Sequence, residues 1–183
     1  PNLQNIPIRT PSGRKIREAF TVSQKGWQII SADYSQVEIR LLAHFANSSS
    51  LLKAFSENKD IHKTTAAKVF QVDEKEVTDS MRSQAKAINF GVLYGMGPRR
   101  LAQQTSMSVK ESQEFIEKYF TAYPEIKDYL ESLKEKASQQ GYTVTIAGRR
   151  RPLGEGVQGP GVTGSWGRAE NIAVNSPIQG SSA

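Results

Sequence analysis

Two stretches of this chain group side chains of the kind that act on phosphates and metals. The first is Ser31-Ala32-Asp33-Tyr34-Ser35-Gln36-Val37-Glu38-Ile39-Arg40. A carboxylate at the end of a strand and just ahead of a helix stands at a sheet edge, where polar ligands approach. Asp33 offers the hard, anionic oxygen that Mg²⁺ prefers, and the Tyr34 carbonyl offers a second ligand. The same residues also read as a helix start, with Asp33 or Ser35 as the cap and Ser35 with Glu38 as a capping box. From this segment alone both readings stand.

The second stretch is Met81-Arg82-Ser83-Gln84-Ala85-Lys86-Ala87-Ile88-Asn89-Phe90-Gly91-Val92-Leu93-Tyr94-Gly95. On a helix Arg82, Lys86, Phe90 and Tyr94 stand four residues apart, and each step drifts by only about 40°. All four therefore share one broad face, while Ala85, Ile88 and Val92 form an opposite face able to dock on a core. Two cations followed by two rings suit a nucleoside triphosphate, with phosphates on the cations and a base or sugar on the rings. The alternative is a helix with solvated cations and two half-buried rings. Three smaller features are weaker alone. Arg149-Arg150-Arg151 could grip a nucleic-acid backbone or form a solvated turn. His62 reads as a surface residue at a helix start, or as a ligand. Gln179 could present its amide to a base edge or bond its own loop.

These side chains need elements to hold them. Trp27-Gln28-Ile29-Ile30-Ser31-Ala32 is a short apolar run that reads as a buried strand ahead of Asp33. Val37, Leu41 and His44-Phe45 then recur at helical spacing. Asp60 is placed to cap a helix through Ile61 to Phe70. Ser108 and Glu111 have capping-box spacing ahead of Phe115-Ile116 and Tyr119-Phe120. Pro124 suits a first helical position, and Ile126, Leu130, Leu133 and Ala137 mark one apolar stripe that stops at Gly141. The Lys/Glu mixture from Lys127 to Lys136 reads as its solvated face. Tyr142-Thr143-Val144-Thr145-Ile146 is strand-like and ends in a turn at Gly148-Arg149-Arg150-Arg151-Pro152. The glycine-rich stretch Gly154–Gly167 reads as a surface loop; it lacks the strand–loop–helix setting of a P-loop. The layout is a small sheet, a helical block, a hairpin and a return segment.

Composition bounds the function classes. The 183 residues suffice for one domain or two small ones. With 24 Lys+Arg against 18 Asp+Glu the net charge is +6, which permits a polyanionic partner without establishing one. Cysteine is absent, which excludes disulfides, zinc knuckles, Fe–S sites and thiol catalysis. No apolar run approaches the ~18 residues of a membrane span, so no membrane partner is expected. The start has neither a basic region nor an apolar stretch, so no signal peptide is expected, and the absence of an initiating Met suggests a piece of a longer chain.

Taken in order, these segments resemble the family A DNA polymerases of the bacterial DNA polymerase I type. The opening Pro1-Asn2-Leu3-Gln4-Asn5-Ile6-Pro7-Ile8-Arg9-Thr10 looks like that family's palm segment. Asp33 to Arg40 is similar to its motif A. Arg82 to Gly95 fits its motif B pattern, R-x3-K-x3-F-x3-Y-G, without a gap. Asn175-Ser176-Pro177-Ile178-Gln179-Gly180 is similar to the segment that approaches motif C. The resemblance implies an α+β fold, part of a right-hand polymerase. Residues 1–35 would be a palm segment ending in the motif A strand. Residues 36–147 would be mainly helical fingers with the motif B helix at 80–95. Residues 148–183 would be a loop and a return towards the palm.

It also implies roles. Asp33, with the Tyr34 carbonyl, would hold the catalytic Mg²⁺ pair that promotes attack of a primer 3′-hydroxyl on the α-phosphate, releasing pyrophosphate. Arg82 and Lys86 would bind the triphosphate, with His62 and Gln36 nearby. Phe90 would stack on the incoming nucleotide and favour discrimination against dideoxynucleotides. Tyr94 would sit by the templating base, and Glu38 would close the space of a ribose 2′-hydroxyl. Arg9 and Gln179 would read minor-groove acceptors, with Arg149 and Arg150 also on DNA. The implied partners are primer-template DNA and dNTPs. The implied parent is a monomeric enzyme of replication or repair, in the bacterial cytoplasm near the nucleoid or viral in a host cytoplasm.

Two departures accompany the resemblance. Family members often carry basic or polar residues where this chain has Gly154–Gly167. The sequence also stops at Ala183, before the His-Asp-Glu of motif C that carries the second metal-binding Asp, so the 183 residues alone are expected to be nearly inactive. Two alternatives stand beside this reading: a single-subunit RNA polymerase relative, disfavoured by Glu38 and Phe90, and a non-catalytic DNA- or nucleotide-binding module, disfavoured by Asp33.

Overall fold

Helix signals dominate the chain, and so do helices in the computed structural model, which describes residues 6–7, 10–30, 32–154 and 166–183. The chain divides into two units, Pro1–Ser35 and Gln36–Ala183. The described part of the first holds one helix, α1 (Pro11–Glu18). Pro11 supplies its preset φ at the first turn, and the Thr10 side chain accepts from the Gly13 N–H at 3.1 Å.

The strand expected at Trp27–Ala32 is a correction. The described residues here are irregular, and Trp27, Ile29 and Ile30 are 60%, 64% and 87% exposed. A strand exists only through the ladder it shares with another, and none of the described residues pairs with this one.

The second unit contains α2 (Val37–Phe45), α3 (Ser49–Ser56), α4 (Ile61–Phe70), a 3₁₀ turn at Glu74–Glu76, α5 (Asp79–Leu93), α6 (Pro98–Gln104), α7 (Val109–Ala122) and α8 (Pro124–Gln140). After them come β1 (Tyr142–Val144), β2 (Arg150–Pro152) and α9 (Trp166–Ser182). The starts follow from the expected caps. Asp60 accepts from the His62 and Lys63 N–H groups, and Ser108 with Glu111 forms a reciprocal capping box. α8 begins at Pro124 and stops where Gly141 takes φ +72°, a left-handed turn that glycine adopts most readily. At α2 the N-cap position is Gln36, at φ +54°, and its side chain makes no capping bond. The core edge of α2 is Ile39, Leu42 and Ala43, whereas Val37, Leu41 and Phe45 are half-buried, Phe45 stacking on Tyr129 at 5.9 Å.

One apolar core runs through this unit. Ile39, Leu42, Leu51, Ile61, Ile88, Leu93, Leu101, Tyr119, Tyr123, Ile126 and Ile178 are each at most 2% exposed. Ala85, Ile88 and Val92 bury the back of α5 as their spacing required.

The two-stranded sheet is shorter than its sequence signal. Tyr142, Thr143 and Val144 pair antiparallel with Pro152, Arg151 and Arg150, so Arg150 and Arg151 belong to a strand rather than to the turn. The extent of the expected loop is a second correction. Residues 166–182 form a helix with Pro177 inside it, and the expected loop at Gly154–Gly167 ends at Trp166, its residues 155–165 lying outside the described ones. Ala169, Ala173, Val174 and Ile178 supply the buried stripe. Proline has no N–H, so it leaves the carbonyl four residues earlier, that of Ala173, without its helical donor. The hydroxyl of Thr143, 3% exposed on β1, donates to that carbonyl at 3.3 Å. Thr143→Val removes the donor at nearly constant volume. We expect it to cost about 1–3 kcal/mol, the range for stranding a buried polar group, read as a lower urea midpoint with the slope unchanged.

Candidate functional site

α4 and α5 lie side by side and bring four of the sequence-selected residues together. At the first turn of α5, the Arg82 guanidinium donates to the Asp60 carboxylate at 2.8 Å. Asp60 thus has two tasks, because it also caps α4. Partial burial pushes its carboxyl up, but the bond from Arg82, the bonds from the Lys63 and His62 N–H groups and the Arg82 charge outweigh that. The carboxyl is held below its ordinary value. One turn on, Lys86 is exposed, with no hydrogen bond or ion pair among the described residues. Another turn on, the half-buried Phe90 ring stands 5.8 Å from the His62 ring.

His62 is not the surface residue that its place at a helix start suggested. It is 3% exposed, and its Nδ1 lies 3.2 Å from the Asn89 amide nitrogen. Burial pushes its pKa below the ordinary 6.5; the Asp60 charge opposes this, and Arg82 and Lys86 push further down. A buried ring that rejects a proton beside two cations is a neutral hydrogen-bonding group.

A second cluster gathers at the far end of α5. The Tyr94 hydroxyl donates to the Glu38 carboxylate, 3.3 Å from both oxygens, and accepts from the Gln179 amide at 3.1 Å. Three side chains chosen separately from the sequence form one chain of hydrogen bonds across α2, α5 and α9. Gly95 follows Tyr94 at φ +60°, and a Cβ there would meet Asn171 Oδ1 at 2.1 Å, so the turn out of α5 and the approach of α9 both require glycine.

Gln179 also borders a polar hollow of about 270 Å³ with Thr143, Thr145, Arg149, Arg151, Ser176 and Gly180. Arg149, just before β2, and Arg151 on β2 line it, while Arg150 between them lies over the Tyr142 ring at 4.9 Å, outside that lining. Asn175, four residues before Gln179, has a buried Oδ1 with no partner among the described residues. Gln36 is half-buried at the start of α2. Asp33 and Tyr34 lie in the first unit; both are exposed. Arg9 lies outside the described residues. Among the described residues no group of three His, Cys, Asp or Glu side chains is placed to hold a metal ion. No helix among them is long and apolar enough to cross a membrane.

A family model described as DNA polymerase family A matches residues 1–183. The chain belongs to DNA polymerase family A. It is 50% identical to DNA polymerase I of Bacillus caldotenax, covering all of this chain and 21% of that protein. It is 43% identical to the thermostable DNA polymerase I of Thermus aquaticus, covering all of this chain and 22% of that protein. The chain thus spans about a fifth of the length of these relatives. Among solved structures it is similar to the POL domain of Pol1 from M. smegmatis in complex with DNA primer-template and dNTP. The TM-score there is 0.81 and the identity 40%, over 99% of this chain and 32% of that one.

For this family A chain, the sequence missed the second task of Asp60, and it missed Asn89. Asp60 carried a cap signal, which hid the ion pair. Asn89 carried a signal of its own: a poor helix former held in the interior of a helix, between Ile88 and Phe90.

Proposed function

We propose that this chain carries the incoming-nucleotide site and part of the DNA-contact surface of a template-directed DNA polymerase. The observation that carries the reading is the α4–α5 face, where Arg82, Lys86, His62 and Phe90 stand together. A triphosphate needs charge-assisted donors in a row, and a guanidinium and an ammonium one helical turn apart provide them. The Phe90 ring offers a stacking surface beyond them. The Glu38–Tyr94–Gln179 chain would join the residue that excludes a 2′-hydroxyl to the residue that reads the minor groove. Arg149 and Arg151 would face DNA beside Gln179, and Gln36 would lie near the nucleotide; for Arg9 the family resemblance alone suggests a minor-groove contact. In this reading residues 1–35 belong to the palm, 36–147 to the fingers, and 148–183 return to the palm.

Asp33, an exposed carboxylate followed by the Tyr34 carbonyl, fits Mg²⁺, which takes oxygen donors and commonly one or two carboxylates plus substrate phosphates. When bound, Mg²⁺ supplies neutralisation of phosphate charge and a more acidic primer hydroxyl. The chain's own residues bind the triphosphate, orient its base and exclude the wrong sugar. The substrates would be dNTPs and primer-template DNA, in replication or repair in a bacterial cytoplasm.

The ion pair gives a test. Asp60 competes with a triphosphate for Arg82, and an exposed pair of this kind is worth up to about 1 kcal/mol. Asp60→Asn keeps a capping oxygen and releases Arg82. Calorimetric titration of the chain with a Mg²⁺-dNTP should show binding tightened up to about fivefold. Equal or weaker binding by Asp60→Asn, at an unchanged melting temperature, would contradict the assignment of Arg82.

A further inference from the structure

The buried polar cluster behind the α4–α5 face allows its hydrogens to be counted. Thr65, fully buried on α4, has one hydroxyl proton, and its shortest contact is to the Ile61 carbonyl at 2.8 Å. Tyr123, at the end of α7, points its own hydroxyl at Thr65 Oγ1 at 3.4 Å. Burial, partly offset by the Thr65 bond, pushes that phenol up to about 12, so it stays a donor. The Asn89 carbonyl oxygen also lies near that hydroxyl, but at 3.4 Å against 2.8 Å to Ile61, so the proton goes to Ile61 and Thr65 accepts from the Asn89 amide nitrogen at 3.1 Å. The second proton of the same amide then faces His62 Nδ1 at 3.2 Å, and that nitrogen must be the acceptor. The opposite amide orientation would put the carbonyl oxygen, not the nitrogen, at the closer 3.1 Å position, against a hydroxyl whose proton is already placed.

We infer that Asn89 is a positioning residue that fixes His62 as the neutral imidazole carrying its proton on Nε2. Its relevance to catalysis rests on the nucleotide reading above, in which a neutral Nε2–H would be the hydrogen His62 offers to the triphosphate. The charged groups acting on the ring are Asp60 at the start of α4 and Arg82 and Lys86 on α5. From the 3₁₀ turn, Glu74 is engaged with Thr64 instead, and from α7 only the neutral Tyr123 reaches the cluster, through Thr65. With the folded pKa below 6.5, the stability this group carries is complete above that value and is lost as pH falls towards the folded one.

The chain has two histidines, and the other, His44, is exposed. ¹⁵N imidazole NMR of the chain, with His44→Gln to assign the signals, therefore reads His62 directly. A protonated-type shift at Nε2 and an unprotonated one at Nδ1, held across about pH 6.5 to 8, are expected. Asn89→Asp replaces the donor by a carboxylate, so the proton should move to Nδ1 and the titration midpoint should rise above the wild-type one. Thr65→Val frees the amide to turn, and a second tautomer should appear. A wild-type Nδ1–H tautomer, an imidazolium at neutral pH, or a pattern that neither variant changes would overturn the assignment. Titration with a Mg²⁺-dNTP separates the two claims: the expected tautomer without a nucleotide-induced His62 shift upholds Asn89 and sinks the nucleotide role of His62.

Discussion

Lys86→Ala should weaken binding of a Mg²⁺-dNTP by roughly 10- to 100-fold and leave the melting temperature where it is. The size follows from the partner. A hydrogen bond to a charged group is worth about 1.5–3 kcal/mol, and each 1.4 kcal/mol is tenfold in affinity. The selectivity follows from the position. Lys86 is exposed on the front of α5 with no bond among the described residues, so its removal strands nothing. Arg82→Ala should weaken binding less, because in the free protein Asp60 already holds that guanidinium. Lys86→Arg keeps the charge on a longer fork and should recover most of the loss. Calorimetric titration beside a thermal melt distinguishes these outcomes.

Ile88→Ala should do the reverse, costing about 2–5 kcal/mol of stability. Ile88 is 2% exposed on the back of α5 and reaches the core shared by α2, α4, α6, α7 and α9. It also borders a largely apolar cavity of about 230 Å³ with Val92, Leu101, Phe120, Leu130 and Val174. Truncation enlarges a space that the surrounding helices already fail to close, which argues for the upper half of that range. Small domains have only about 5–15 kcal/mol in total, so the urea midpoint should fall steeply. Below the transition, nucleotide affinity should stay near the wild-type value, because the front of the helix is untouched. One helix is thereby divided into a binding face and a docking face, two residues apart in sequence.

Much of this was legible because it is local. Asp60, the Ser108–Glu111 box, and Pro124 with Gly141 each announce a helix end through contacts within four residues. The shared face of Arg82, Lys86 and Phe90 follows from helical geometry alone. What stayed hidden depends on distant partners. Trp27–Ala32 has a strand's composition, yet a strand needs a ladder. α9 was obscured by Pro177, which a helix tolerates here because Thr143, thirty residues earlier in position 143 against 173, serves the stranded carbonyl. His62 looked like a surface residue because Asn89 and Phe90, which cover it, arrive from another helix. The joining of Glu38, Tyr94 and Gln179 likewise needed the packing of three helices.

On the proposed reading, the front of α5 recognises a triphosphate tail. The most direct measurement compares the affinity of the chain for one deoxynucleoside triphosphate and for its monophosphate, both with Mg²⁺, before and after Lys86→Ala. The wild-type chain should prefer the triphosphate, and Lys86→Ala should remove most of that preference while barely changing monophosphate binding. A preference that survives the substitution undiminished, in a variant that melts like the wild type, would contradict it.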